Sequence, residues 1–288
     1  MSEGLVFGPV RSRRLGRSLG VNNVPYKTCS YSCVYCQLGR TVNLTTARRC
    51  FYSWEDVVRG VRRSLEGILE EVDYVTFVPT GEPTLDACIG REIAGIKEAT
   101  GARVAVLTNA SLLWLDEVKG DLVGADYVSV KVDSVDEGVW RSVNRPHPSL
   151  KLWEVLEGLR EFSRSFRGVL TSETMLVPGL NTGAEHYEEV ARYLRGLNLW
   201  RAYVSIPVRP PAESFVRLPP EEEVVRAYET FSRILGPGRV ELLNVPEPPP
   251  ERAYGDPAAW LLSTTSVHPL RYDHAVRALG SASEDPEG

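Results

Sequence analysis

What this chain lacks narrows its reading before any motif is considered. No stretch approaches the roughly 20 consecutive apolar residues needed to cross a bilayer. The first ten residues hold too short an apolar run for a secretory leader. A cytoplasmic protein with no membrane partner is therefore expected. Cysteine is scarce and odd in number, 5 in 288 residues, and Cys29, Cys33 and Cys36 fall within eight positions. A disulfide framework uses an even set, whereas clustered cysteines in a reducing compartment are more often metal ligands. Gln37 is the single glutamine, Met numbers 2, and lysine is confined to Lys27, Lys97, Lys119, Lys131 and Lys151. Few thermolabile side chains fit a heat-adapted source; a GC-rich genome would give the same arginine bias. Acid is nearly absent before residue 50, where Glu3 faces Arg11, Arg13, Arg14, Arg17, Lys27, Arg40, Arg48 and Arg49. A net charge of -5 excludes a generic nucleic-acid binder. The basic arm suits an anionic ligand, or is neutralised by acidic helices elsewhere.

What is present is an alternation of strand and helix patterns. Residues 73–78, 103–107, 127–132, 169–176 and 203–206 are rich in β-branched and aromatic residues and read as strands, with an earlier one near 19–24. Ser53 opens a capping-box-like start before Val57, Val58, Val61, Leu65, Ile68 and Leu69, which recur at helical spacing. Residues 150–166, 184–197 and 220–235 read as helices too. Repeated strand–helix order predicts an α/β fold with a parallel sheet and helices outside it. Six such units are enough to curl into a barrel or part of one. The length allows one large domain with an appendage. The core is expected over residues 1–215, including an N-terminal arm. A mainly helical extension is expected over 216–288: prolines at 246–250 mark a boundary, residues 258–279 supply one or two docking helices, and 281–288 form a frayed tail.

Short polar segments fall just after the predicted strands: the cysteines, Pro79-Thr80-Gly81-Glu82-Pro83-Thr84, Thr108-Asn109-Ala110-Ser111, Asp133-Ser134, Pro178-Gly179-Leu180-Asn181 and the PVRPP run that holds Arg209. Strand C-terminal ends carry the active site in parallel α/β barrels. The cysteines form C-x3-C-x2-C. Three thiolates on a short loop can hold three irons of a four-iron four-sulfur (4Fe–4S) cube. With no fourth cysteine nearby, one iron stays open for chemistry. A structural zinc site would need a fourth ligand, and the first histidine is His147.

With Tyr35 at its aromatic position, this motif resembles the signature of the radical S-adenosylmethionine (SAM) superfamily. Phe7-Gly8-Pro9-Val10, Arg13-Arg14-Leu15-Gly16, the segment from Pro25 to Gly39, Gly81-Glu82-Pro83-Thr84, Asn144-Arg145-Pro146-His147-Pro148, Val177-Pro178-Gly179 and the PVRPPAE run extend the resemblance over nearly the whole chain. They point to the subgroup containing wyosine-base synthases and the molybdenum-cofactor A protein. The resemblance implies a partial (β/α)6 barrel, a 4Fe–4S cluster on Cys29, Cys33 and Cys36, and SAM as second cofactor. It also implies an electron donor such as ferredoxin or flavodoxin. A monomer is expected.

Residue by residue, the resemblance matches Thr80-Gly81-Glu82 to the motif that binds the SAM amino group, with Thr80 in place of its first glycine and Pro83 beside it. Tyr35 is matched to adenine, and Thr108, Asn109 and Ser111 to the SAM carboxylate or ribose. Helix capping explains the last three equally well. Val177 and Asn181 are matched to adenine or ribose. Lys131 and Asp133 alternate along a strand and point the same way, toward SAM or substrate or toward an ion-pair partner on the next strand. Lys131, Arg145 and His147 are the candidate catalytic side chains. The two prolines beside Arg145 and His147 stiffen that loop, which can present both residues to an anion or simply start a helix. The substrate is expected to be an anionic small molecule or RNA, with tRNA base modification as one reading. Relatives with a second cluster carry further cysteine sets. Here Cys50 and Cys88 are too few for one and are expected as packed thiols. Protein activation and a non-catalytic electron carrier are the other classes, and a carrier has no use for Glu82.

Overall fold

The computed structural model describes residues 5–245 and 247–280. The chain opens with β1 (Val6–Ser12) and β2 (Gly16–Val21), an antiparallel pair. Two short strands, β3 (Thr28–Cys29) and β4 (Asn43–Leu44), flank the cysteine loop. Helix and strand then alternate: α1 (Trp54–Leu65), β5 (Tyr74–Phe77), α2 (Ile89–Thr100), β6 (Val104–Thr108), α3 (Asp116–Leu122) and β7 (Tyr127–Lys131). Next come α4 (Glu137–Asn144), α5 (Leu152–Ser165), β8 (Val169–Met175), α6 (Ala184–Arg195), β9 (Arg201–Ser205), α7 (Glu221–Leu235) and β10 (Val240–Leu243). The last helices are α8 (Pro257–Val267) and α9 (Tyr272–Leu279). The frayed tail expected over residues 281–288 lies outside the described residues.

The main sheet runs β1-β2-β5-β6-β7-β8-β9-β10, parallel throughout except for β1. It is α/β as expected, and the described strands stop short of a closed barrel. Alternation along the strands gives the sheet two faces. Val75, Phe77, Val104, Val106, Val128 and Val130 are fully buried in the main core. They pack with Val57, Val61 and Leu65 of α1 and Ile89, Ile93 and Ile96 of α2. Residues of opposite parity, among them Thr76, Leu107, Lys131 and Glu173, line a cavity on the other face. Burial on both faces explains why these strands read as continuous β-branched runs. Ser53 caps α1 by accepting from Asp56 N at 3.4 Å, as its sequence position predicts. The boundary expected after residue 215 falls between β9 and α7. Beyond it α7 packs on α6, and β10 extends the sheet by pairing with β9.

Cys50 and Cys88 correct an expectation. They form a disulfide with Cα atoms 5.1 Å apart, where packed thiols were expected. Backbone pairing brings them together: Arg49 N donates to Leu85 O and Ala87 N to Arg49 O, both at 3.1 Å. A separation of 38 residues hides this contact from local sequence patterns.

Candidate active site at the cysteine loop

The loop from β3 folds back on itself through Cys36 N to Cys33 O at 3.1 Å and Gly39 N to Cys36 O at 3.0 Å. Cys29, Cys33 and Cys36 are free, half-buried thiols on the wall of one cavity. Each sulfur has a nitrogen donor: Asn109 Nδ2 lies 3.6 Å from Cys29, Asn144 Nδ2 3.4 Å from Cys33, and Lys27 Nζ 3.2 Å from Cys36. Donors of this kind stabilise sulfur that carries negative charge. Burial pushes the Cys33 thiol up to about 12 and the Cys29 thiol higher still. Such thiols are poor nucleophiles on their own, while metal coordination deprotonates them outright. Three clustered, half-buried sulfurs, each with a nitrogen donor, fit an iron–sulfur cluster.

The second predicted segment braces this loop from behind. Gly81 passes so close to β3 that a Cβ there would sit 1.8 Å from Thr28 O, so the motif's glycine is a steric requirement. Thr80 has no such need, because its φ is not positive, and its backbone N donates to Asn22 Oδ1 at 3.0 Å. Glu82 is buried, and four groups donate to its carboxylate. These are Thr84 N at 3.1 Å, Thr84 Oγ1 at 2.6 Å, Thr108 Oγ1 at 2.6 Å and Asn109 N at 2.7 Å. Burial raises its carboxyl against these bonds. Pro83, also buried, starts a single 3-10 turn. Ala110 adopts a φ of 65° beyond β6, a costly conformation for a residue with a Cβ. Ser111 Oγ contacts Ser30 Oγ at 2.6 Å, and Asn109 Nδ2 donates to the same Ser30 oxygen at 2.9 Å. Glu82, Thr108, Asn109 and Ser111 therefore form one network beneath the cysteines. Thr80 and Gly81 face the cavity.

A second network sits on β7 and β8. Asp133 is buried; its Oδ2 accepts from Tyr35 Oη and from Asn144 Nδ2 at 2.7 Å, and its Oδ1 from Met175 N at 2.7 Å. Lys131 Nζ lies 3.7 Å from Asp133, 3.2 Å from Glu173 on β8 and 4.8 Å from the Tyr35 ring centroid. Arg14 also pairs with Glu173. Burial alone would raise the Glu173 carboxyl; Arg14 and Lys131 outweigh it and hold the group well below the usual carboxylate range. For Lys131, burial would lower the ammonium, but Asp133 and Glu173 outweigh it. The neighbouring-strand ion pair thus explains the charge on Lys131, which still faces the cavity.

That cavity has a volume of about 360 Å³. The cysteines, Tyr35, Thr80 and Gly81 form part of its wall. Arg13, Arg209, Glu247 and His268 form another part of its wall. Burial lowers the His268 imidazole to about 4, reinforced by Arg209, so the ring is neutral. Its Nε2 lies 3.0 Å from Arg209 Nη2.

Several sequence candidates lie off this wall. Arg145 ends α4 at a φ of 45° and pairs with Glu213, to which Arg40 Nε also donates at 2.7 Å. His147 Nδ1 contacts Ser149 Oγ at 2.8 Å, and its backbone N donates to Ser30 O at 2.8 Å. Arg145 and His147 thus fasten the cysteine loop from outside. Val177 is buried with Val34, Val143 and Val216. Asn181 Nδ2 donates to the carbonyls of Asp133 and Met175. Glu173, Glu247 and His268 escaped the sequence reading. A carboxylate in the middle of the strand pattern at 169–176 was the available signal for Glu173.

Residues 23–199 match the model of the radical SAM superfamily. A UPF0026 protein of Methanocaldococcus jannaschii is 41% identical over 93% of this chain and 83% of its own length. A protein of Brachyspira hyodysenteriae called GTPase Obg is 32% identical over 78% of this chain, which spans 33% of that protein's length. Among solved structures, a radical SAM methyltransferase from Sphaerobacter thermophilus shares the fold. Its TM-score is 0.55 and its identity 19%, covering 79% of this chain and 66% of that one.

Proposed function

We propose, from the premise that this chain belongs to the radical SAM superfamily, that it is an enzyme whose cavity brings SAM and an anionic substrate together beside Cys29, Cys33 and Cys36. The observation that carries the reading is the set of three free sulfurs, each with its own nitrogen donor, on the wall of that cavity. Cys29, Cys33 and Cys36 would hold a 4Fe–4S cluster, which when reduced would supply the single electron for cleavage of SAM to methionine and a 5′-deoxyadenosyl radical able to take a hydrogen atom from substrate.

The chain's own residues position and shield. Thr80 and Gly81 offer backbone to the SAM amino group, with Glu82 behind them fixing their path together with Pro83, Thr108, Asn109 and Ser111. Tyr35, held by Asp133, offers its ring to adenine, and Val177 buttresses that wall through Val34. Lys131, neutralised by Glu173 and Asp133, borders the space where substrate would lie. Arg145 and His147 act by holding the cysteine loop. The donor of the electron is a small redox protein of the ferredoxin or flavodoxin type. The cationic wall favours an anionic substrate, whether a small molecule or the phosphates of an RNA.

The test is anaerobic reconstitution with iron and sulfide, then dithionite and SAM, with 5′-deoxyadenosine measured by chromatography. The product is expected from the wild type and absent from Cys33→Ala. A full cluster that yields no 5′-deoxyadenosine, with or without anionic candidates, would overturn the proposal.

A further inference from the structure

The charges on the cavity wall divide unevenly. Arg14 and Lys131 are matched by Glu173 and Asp133, and Lys27 is spent on the Cys36 sulfur. Arg13 and Arg209 converge on a single carboxylate, Glu247. Arg13 Nε lies 3.3 Å from its Oε1, and Arg209 Nη2 lies 2.8 Å from its Oε2. Each oxygen takes one guanidinium, the arrangement that a carboxylate or phosphate ligand would adopt. All three side chains are mostly buried, with exposures of 18%, 16% and 18% for Arg13, Arg209 and Glu247. Two cations against one anion leave a positive charge unbalanced in a poorly solvated place. His268 is neutral and adds no compensation.

Both arginines are held in place. Arg13 Nη1 donates to Leu243 O at 3.1 Å and to Val245 O at 3.3 Å. Arg209 Nη1 donates to Gln37 Oε1 at 2.5 Å, next to Cys36. The pair is therefore anchored at both members, Arg13 to the end of β10 and Arg209 to the cysteine loop through Gln37. Glu247, by contrast, sits on the segment between β10 and α8 and reaches the pair from outside the sheet.

We propose that Arg13 and Arg209 clamp an oxyanion, carboxylate or phosphate, of a small substrate, and that Glu247 occupies the clamp until that anion displaces it. This rests on reading the cavity as the substrate chamber. A small anion has to move one side chain. A polymer would have to lift the segment carrying Glu247 and His268, and with it α8, which packs against β1.

Calorimetric titration of the full-length, cluster-loaded protein tests this, with inorganic phosphate in one arm and succinate in the other. Glu247→Gln keeps the side chain's size and removes the competing charge. One of the two anions is expected to bind about tenfold tighter to this variant than to the wild type. Adding Arg13→Gln or Arg209→Gln should abolish the gain. The arm that shows the gain separates phosphate from carboxylate. On the wild type, the same anion should slow phenylglyoxal modification of Arg13 and Arg209, located by mass spectrometry, so the test does not depend on a variant that folds. Equal affinities in wild type and Glu247→Gln, or unprotected arginines, would overturn the clamp. So would an RNA oligonucleotide that binds through these arginines while neither small anion does. None of these readouts uses SAM cleavage. A protein that binds the anion but yields no 5′-deoxyadenosine sinks the proposed reaction and leaves the clamp standing.

Discussion

At Gly81 the absence of one carbon atom decides whether the cysteine loop can close. Its Cβ position lies 1.8 Å from Thr28 O, which is backbone and cannot rotate away. Gly81→Ala must therefore push β3 off the Glu82 segment, at a cost on the order of 3 kcal/mol or more. Iron bound after reconstitution should fall sharply; wild-type iron content in that variant would contradict the close approach. Glu92 makes a different kind of prediction. It is fully buried in α2, and burial, with the nearby Asp86 charge, raises its carboxyl to about 9. Asn23 Oδ1, Asp86 Oδ2 and Glu92 Oε1 lack hydrogen-bond donors, and a proton on Glu92 supplies one. The folded chain keeps this proton up to about pH 9, while the unfolded chain releases it near 4.5. The folded state thus binds more protons between those limits. Stability is fully present below the lower limit and declines as pH rises toward the upper. Glu92→Gln stays neutral and escapes the decline. Its melting temperature should gain on the wild type steadily from pH 5 to pH 8, by on the order of 2 kcal/mol of stability at neutrality. A difference that does not change with pH would refute the protonated state.

Elements show where local patterning ends and chain-wide contact begins. The Cys50–Cys88 disulfide joins the stretch before α1 to the turn that starts α2, closing a loop of 38 residues. In the chain-entropy account a loop of that size is worth about 3–4 kcal/mol. Cys50→Ser with Cys88→Ser should lower the melting temperature by several degrees, and reductant should lower the wild type to match. Scanning calorimetry checks both, and an unchanged transition would mean that the bridge adds nothing. No pattern in the sequence announces this contact, because partner choice for two distant cysteines is a tertiary fact. The strands β5 to β9 were legible for the opposite reason. A parallel strand buried on both faces must be β-branched and apolar along its length, which is a local property. β1 was hidden by Gly8 and Pro9, which interrupt its pattern, and β10 by its run Val-Glu-Leu-Leu, which holds one β-branched residue and no aromatic one. The cysteine trio was legible because its ligands all fall within one short loop. The Glu173 role was not, since Arg14 lies 159 residues away, and neither was the bond from Arg13 to Leu243 across 230.

Across the whole molecule, the sheet leaves β1 and β10 as its two edges, and the chain's last described part spans between them. Arg13, just after β1, bonds the carbonyls of Leu243 and Val245 at the end of β10 and just beyond it, and α8 packs on β1. This cover has its own small apolar cluster, Ala253, Trp260 and Ala278 with Tyr254, Leu261, Leu270 and Leu279, separate from the main core. A unit with its own small core and mainly side-chain ties to the rest opens at a lower free energy than the sheet does. Amide hydrogens of α8 and α9 should therefore exchange well before those of β5 to β8, in native conditions and without global unfolding. Peptide-resolved exchange followed by mass spectrometry reads this directly. Early exchange in α8 with the sheet still protected means that the cavity can open at this cover while the cysteine loop stays assembled. Simultaneous exchange of α8 and β7 would mean that the cover is part of the core, and the route into the cavity would have to be sought between the strand ends instead.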